Sequence, residues 1–232
     1  MNENFEFDYK IFENNYTLPL TEDSCRTKER ILLIATLSFA KHGYAAVSMR
    51  DLAKIMGINQ SSIYNHFESK DALWKEVIHH AGRLYKLYFE HLGEKVAACT
   101  TLQEVLEAIF YEPKRMLNTF TCYAFSMIQT EQFRDAKAGE MFEEIFMKYA
   151  IDHLRNWFDK CIATGIAPRF DTQTVAVIIM HSVLMGLQVE VHNLLNHQYN
   201  SPYDPRKMLQ DVQNFIYGSV TGDGIDTEGQ QH

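Results

Sequence analysis

The segment from Ser48 to Leu73 constrains the fold most, because its punctuation specifies two short helices, a tight turn between them and a third helix behind. Ser48 followed three residues later by Asp51 is a capping-box start, and Leu52, Ala53, Ile55 and Met56 supply the apolar positions of the helix it opens. Gly57 ends that helix. A glycine there takes the left-handed conformation without a steric cost and turns the chain into Ile58 and Asn59, a residue suited to capping the next helix. That helix begins with Gln60, Ser61 and Ser62, which carry hydrogen-bonding groups, while Ile63 and Phe67, four apart, share an inward face. The arrangement is a helix-turn-helix with a polar first turn outward and an apolar pair behind it.

The residues Arg30, Ile31, Ala35, Phe39, Gly43, Tyr44, Val47, Ser48, Ala53, Gly57, Ile58, Ile63, Tyr64, His66, Phe67, Lys70 and Leu73 carry a resemblance. From Arg30 to Leu73 the chain resembles the DNA-binding domain of the tetracycline-repressor (TetR) family of bacterial transcription regulators. It departs from the usual pattern at Leu52, Asn59 and Ser61, and a side chain at Ser61 bears on which operator is accepted. The resemblance implies an all-α homodimer with two partners, a double-stranded DNA operator and a small-molecule effector. It also implies phosphate contacts from Tyr64, His66 and Lys70, with Thr27 and Ser48 as further candidates through helix starts. Side-chain chemistry adds base readers: Gln pairs bidentately with adenine and Ser serves several bases, so Gln60, Ser61, Ser62 and Asn65 are the candidates. The competing reading of Tyr64 and His66 is that they seal the surface of the small domain.

The net charge of -8 argues against nucleic acid until its distribution is read. From Arg26 to Lys70 the chain carries +4, which leaves -12 for the remainder. A basic module on an acidic body presents one face to phosphate and repels it with the other. Cys25, Cys99, Cys122 and Cys161 show no ligand spacing, which fits a reducing cytoplasm. The apolar stretch from Val175 to Val191 is interrupted by His181, Ser182, Gln188 and Glu190, so no membrane span is expected. No His-x-x-x-His or His-Glu-x-x-His occurs, and no phosphate loop or nucleophile elbow. Neither a metal, nor another cofactor, nor an enzymatic activity is expected.

The expected organisation is an acidic extension over 1–25, a helix-turn-helix domain over 26–72, a helical effector-binding and dimerisation domain over 73–220 and a disordered tail over 221–232. In the extension, the alternation from Phe5 to Ile11 reads as a loose tail, a short strand or an aromatic clasp. Helix one is expected from Thr27, as its cap, to Lys41. Later helices are expected over 69–92, 101–118, 120–129, 135–164, 172–196 and 204–219.

In the larger domain, methionine and aromatic residues crowd the stretch from Met116 to Phe158. Phe142, Phe146, Tyr149, His153 and Trp157 recur at spacings of three and four. Two readings stay open, a plain core and an apolar pocket with a few polar handles. On the pocket reading the effector contacts are Met116, Phe120, Tyr123, Met127, Phe142, Phe146, Tyr149, His153, Trp157 and His181. The last two helices offer a dimer face through Val175, Ile178, Ile179, Ser182, Val183, Met185, Gly186 and Val189 with Met208, Val212, Phe215 and Ile216. The best reading is a transcription regulator, most simply a repressor released by an apolar effector. The alternative is a helical ligand-binding or interaction module whose helix-turn-helix does not act on DNA.

Overall fold

The computed structural model describes residues 23–116, 120–195 and 203–222, with side chains left out at 23–26, 111–116, 120–121 and 193–195. The expected strand or clasp at Phe5 to Ile11 and the tail after Gly222 lie outside the described residues. Among these the chain is all-helical. Helix α1 is Asp23–His42, α2 Met49–Met56, α3 Gln60–Tyr64, α4 Lys70–Ala97, α5 Leu102–Met116 and α6 Phe120–Glu131. Then come α7 at Ala136–Met141, a π-helical segment at Phe142–Tyr149, α8 at Ala150–Ala163, α9 at Thr172–Leu195 and α10 at Pro205–Thr221.

Local chemistry sets most of the helix starts. Ser48 and Asp51 form the reciprocal capping box of α2, Asp51 N–H donating to Ser48 Oγ at 3.2 Å and Ser48 N–H to Asp51 Oδ2 at 2.9 Å. Ser69 caps α4, Asp135 caps α7 and Asp204 caps α10, each through its side chain. Gly57 holds φ +66°, and its turn is closed by Ile58 N–H donating to Ala53 O. Three expectations need correction. Thr27 is not a cap, because α1 already runs from Asp23 and Thr27 lies inside it. Asn59 occupies the cap position of α3 without a side-chain capping bond. Ile55 is 40% exposed, since the eight-residue α2 buries only the side formed by Met49, Leu52, Ala53 and Met56.

Helix α4 ties the two parts of the chain together. At 1.5 Å per residue its 28 residues span about 42 Å. Trp74 packs on Phe39 and Tyr44, while Tyr85 and Phe89 further along pack beside Phe146 and Trp157, all within one continuous core. Gly82 lets α7 approach, because a Cβ there would stand 2.7 Å from Met141 Sδ. The expected single helix over 135–164 is instead broken by the π-helical segment, whose wider turn brings Phe142 and Phe146 into a stack at 6.5 Å. Helix α6 packs along α1, and α9 packs against α8 and α10.

The expectation that no run reaches spanning length also fails. Thr172–His192 is long and apolar enough to cross a membrane by length and composition, with mean hydropathy 1.7, because its interruptions are polar but mostly uncharged. Only a third of that window is buried within the chain.

Candidate nucleic-acid interface and ligand cavity

The outer face of α3 is polar and its inner face closed. Ile63 is fully buried and Phe67 nearly so, and between them the backbone closes through Phe67 N–H donating to Ile63 O at 2.9 Å. Gln60, Ser61 and Asn65 are exposed, Ser62 and His66 half-buried, and Tyr64 projects with 46% of its surface free. Arg50 and Lys54 are exposed on α2, the helix before the turn. Asn65 stands at the end of α3 rather than one turn further along a longer helix.

The remaining phosphate candidates are partly engaged elsewhere. Ser48 is exposed, but its hydroxyl donates to Asp51, and this bond holds the Asp51 carboxyl below the usual carboxylate range. Thr27 lies half-buried within α1. Lys70 donates to the Ala45 carbonyl at 3.4 Å and stands 4.2 Å over the Tyr44 ring. Burial pulls its ammonium below the usual lysine range, against the opposing pull of Asp51 and Glu131.

Beneath Lys70, Tyr44 packs on Trp74 at 4.8 Å and on Phe39 at 5.5 Å. From the larger domain, Glu131 at the end of α6 reaches into this junction, where its Oε1 accepts the Tyr44 backbone N–H at 3.3 Å. Glu131 is buried. Sequence reasoning missed it, because an acid at a helix end reads as a surface charge and its partner is 87 residues away.

The cavity in the larger domain lies between α4, α5, the π-helical segment, α8 and α9. It opens to solvent, and the empty space there, solvent at the mouth included, is about 520 Å³. One wall is aromatic: Tyr85, Tyr88 and Phe89 of α4 with Phe146. The facing wall is aliphatic, from Ile179, Met180, Val183, Leu184 and Leu187 of α9, with Leu92, Ile109 and Leu154 at the sides.

Of the effector candidates among the described residues, only Phe146 lines this space. Phe142 packs toward Phe125 of α6 at 6.3 Å, whereas Tyr149, His153 and Trp157 all meet Phe89, each at 5.8 Å. These ring contacts join α8 and the π-helical segment to α4. His153 Nδ1 is bonded to the Tyr149 carbonyl at 2.8 Å. Met127 is fully buried and Tyr123 half-buried on α6, away from the lining. His181 is exposed on α9, whose cavity-lining residues are others. The side chains of Met116 and Phe120 lie outside the described residues. The α4 contribution had a signal in the sequence, Tyr85-x-x-Tyr88-Phe89-x-x-Leu92, at helical spacing.

The comparisons agree with this architecture. Residues 31–77 match the family described as bacterial regulatory proteins, tetR family. The chain is 30% identical over 70 residues to the probable acrEF/envCD operon repressor of Escherichia coli K12, which is 30% of this chain and 32% of that protein. It therefore spans about a third of the length of the curated relatives it matches first. The likeness of fold extends much further. Salmonella enterica GusR superposes with a TM-score of 0.63 at 19% identity, covering 87% of this chain and 98% of that one. The transcriptional regulator FadR from Bacillus subtilis, solved in complex with stearoyl-CoA, gives 0.58 at 17% identity, covering 84% and 98%. Residues 31–77 thus carry the helix-turn-helix of the tetR family of bacterial regulatory proteins, and the all-helical body behind them has the fold of these solved regulators.

Proposed function

We infer that the chain is a homodimeric DNA-binding repressor, released from its operator by a small apolar effector held in the cavity. The observation that carries this is the division of α3 and the turn after it, an exposed polar face anchored from behind by Ile63 and Phe67. Gln60, Ser61, Ser62 and Asn65 meet base edges. Tyr64, His66 and Lys70 meet phosphate and set the register. Ser48 and Thr27 contribute least, Ser48 because its hydroxyl is already engaged and Thr27 because it lies within a helix.

The dimer reading draws on α9. Thr174, Ile178, His181, Met185, Gln188 and His192 recur at spacings of three and four along its outer side, with Met185 53% and Phe215 of α10 52% exposed. A second copy covering this stripe accounts for a helix so apolar and so little buried within its own chain. Gly186, by contrast, serves the packing of α9 on α10 within one chain, since a Cβ there would touch Leu209 and Met208 at 3.6 Å. Two reader helices about 34 to 36 Å apart would then enter successive major grooves. FadR, a regulator of the same fold, holds stearoyl-CoA, whose long acyl chain supports an effector with an apolar part here.

The test is operator selection from a random DNA pool with the purified chain, followed by titrations on operator variants. Gln60→Ala should relax preference at one position, by about 1 to 3 kcal/mol, whereas Lys70→Ala should weaken all sequences alike. Binding that ignores sequence, or a monomer at micromolar concentration in sedimentation, would sink the reading.

A further inference from the structure

Among the described residues, the cavity lining is partly aromatic and partly aliphatic and carries no ionised group. None of its lining residues is an acid or a strong base, and the two tyrosines do not alter this. Tyr85 is buried, its hydroxyl donates to the Phe146 carbonyl at 3.4 Å, and burial pushes its ionisation far above the usual phenol range.

Among the described residues, the charged side chains on the surrounding helices are exposed or engaged, Glu190 of α9 being half-buried and engaged. Lys86 and Glu90 are exposed on α4, with Lys86 Nζ over the Tyr149 ring, which does not line the cavity. Lys148 pairs with Glu144, and Arg155 with Asp152. An ion entering the cavity would therefore lose its water and meet no counter-charge among the described lining residues.

The aromatic wall is not a cage for a cation either. Its rings close on one another, Tyr85 to Phe146 at 4.4 Å, Tyr85 to Phe89 at 5.0 Å and Tyr88 to Phe89 at 5.4 Å. A bound cation gains from ring faces that surround it, and here the opposite side is aliphatic.

We propose that this cavity binds an uncharged molecule that is hydrocarbon along most of its length, and that it rejects cations and anions of the same shape. The proposal rests on reading the cavity as the effector site, but its test needs no DNA.

The full chain is loaded with the neutral fluorophore N-phenyl-1-naphthylamine at pH 8, and 1-decanol, decanoate and decyltrimethylammonium compete for it. Decanol should displace the probe at a concentration at least about tenfold below either ion, because burying an unpaired charge is costly. It should outcompete 1-octanol by about sixteenfold, since each of its two extra buried methylenes adds about fourfold. Displacement by either ion as readily as by the alcohol, or failure of the alcohol to displace, overturns the proposal.

Two variants locate the binding. Val183→Trp and Leu184→Trp fill the cavity from half-buried positions on α9. Each should weaken decanol binding about tenfold or more while thermal unfolding stays near wild type, because the space that excludes water is then occupied. Unchanged binding in both folded variants overturns the assignment to this cavity. Selective decanol binding that leaves operator affinity unchanged supports charge selection and removes the effector reading. Equal binding of the ions removes charge selection whatever the DNA does.

Discussion

Two aromatic clusters sit on the same helix and behave differently. Near the start of α4, Trp74 closes on Phe39 ring edge to ring face and on Tyr44 at a tilt, while Lys70 stands over Tyr44 and Glu131 ties its backbone. Fifteen ångströms or so further along, by helix rise, Tyr85 and Phe89 close with Phe146 just as tightly, yet a cavity remains beside them. Residue type does not separate core from pocket. What separates them is the element opposite: α1 fills its side of the first cluster, whereas α9 stands off from the second.

Truncation should expose that contrast most strongly. Phe39 is 1% exposed in the closed cluster, so Phe39→Ala should cost about 3 to 5 kcal/mol of stability. Leu184→Ala, at a half-buried position on the far wall of the cavity, should cost below about 1.5 kcal/mol, because the methyls removed already border empty space. Urea unfolding of both variants measures the difference. Equal losses would show that α9 closes on the aromatic wall in solution and that the two clusters are alike.

The same contrast explains what was legible in the sequence. Ser48, Asp51 and Gly57 act within a few residues of themselves, so their roles could be read directly, and so could the anchoring pair Ile63 and Phe67. The aromatic stripe could not be placed. Its spacing showed that Phe146, Tyr149, His153 and Trp157 share a face, but not that Phe89 occupies the space in front of three of them. The π-helical segment was invisible for a related reason, because it depends on packing against α4 and α6 rather than on local propensity. Ile55 was misjudged because the apolar pattern of a two-turn helix is too short to fix which side is buried.

The boundary between the two regions should respond to acid. His80 is buried on α4, and its ionisation is pushed down to about 4, first by burial and then by Arg83. The unfolded imidazole titrates near 6.5, so between these values the unfolded chain binds a proton that the folded chain refuses. Stability from neutral His80 is therefore complete above pH 6.5 and lost as pH falls through 4, an effect of about 3 kcal/mol. Carboxylates titrate in the same window, so the informative quantity is wild type minus His80→Gln at pH 7 and at pH 4. Parallel pH curves for the two proteins would move the source of acid sensitivity elsewhere.

Glu131 tests whether the regions are joined by a hydrogen bond or only by packing. Glu131→Ala leaves the Tyr44 N–H without its acceptor and should cost about 1.5 to 3 kcal/mol, the range for a bond to a charged group. Glu131→Gln keeps an acceptor oxygen and should recover most of that loss. In a Trp157→Phe background Trp74 is the sole indole, so its fluorescence reports on the junction during unfolding. If alanine and glutamine lose the same amount, the carboxylate charge rather than the acceptor holds the turn.

The smallest expected effect compares the two helix starts inside the reader itself. Ser48 makes both bonds of a capping box, and Ser48→Ala should cost about 1 kcal/mol. Asn59 stands at the equivalent place before α3 but makes no side-chain capping bond, so Asn59→Ala should change stability by no more than about 0.5 kcal/mol. Its exposed amide is then available to DNA, beside Gln60 and Ser61. Stability unchanged with operator affinity reduced would add Asn59 to the surface that meets DNA. A loss of stability as large as that of Ser48→Ala would instead show that Asn59 caps α3 in solution, and the reader surface would begin at Gln60.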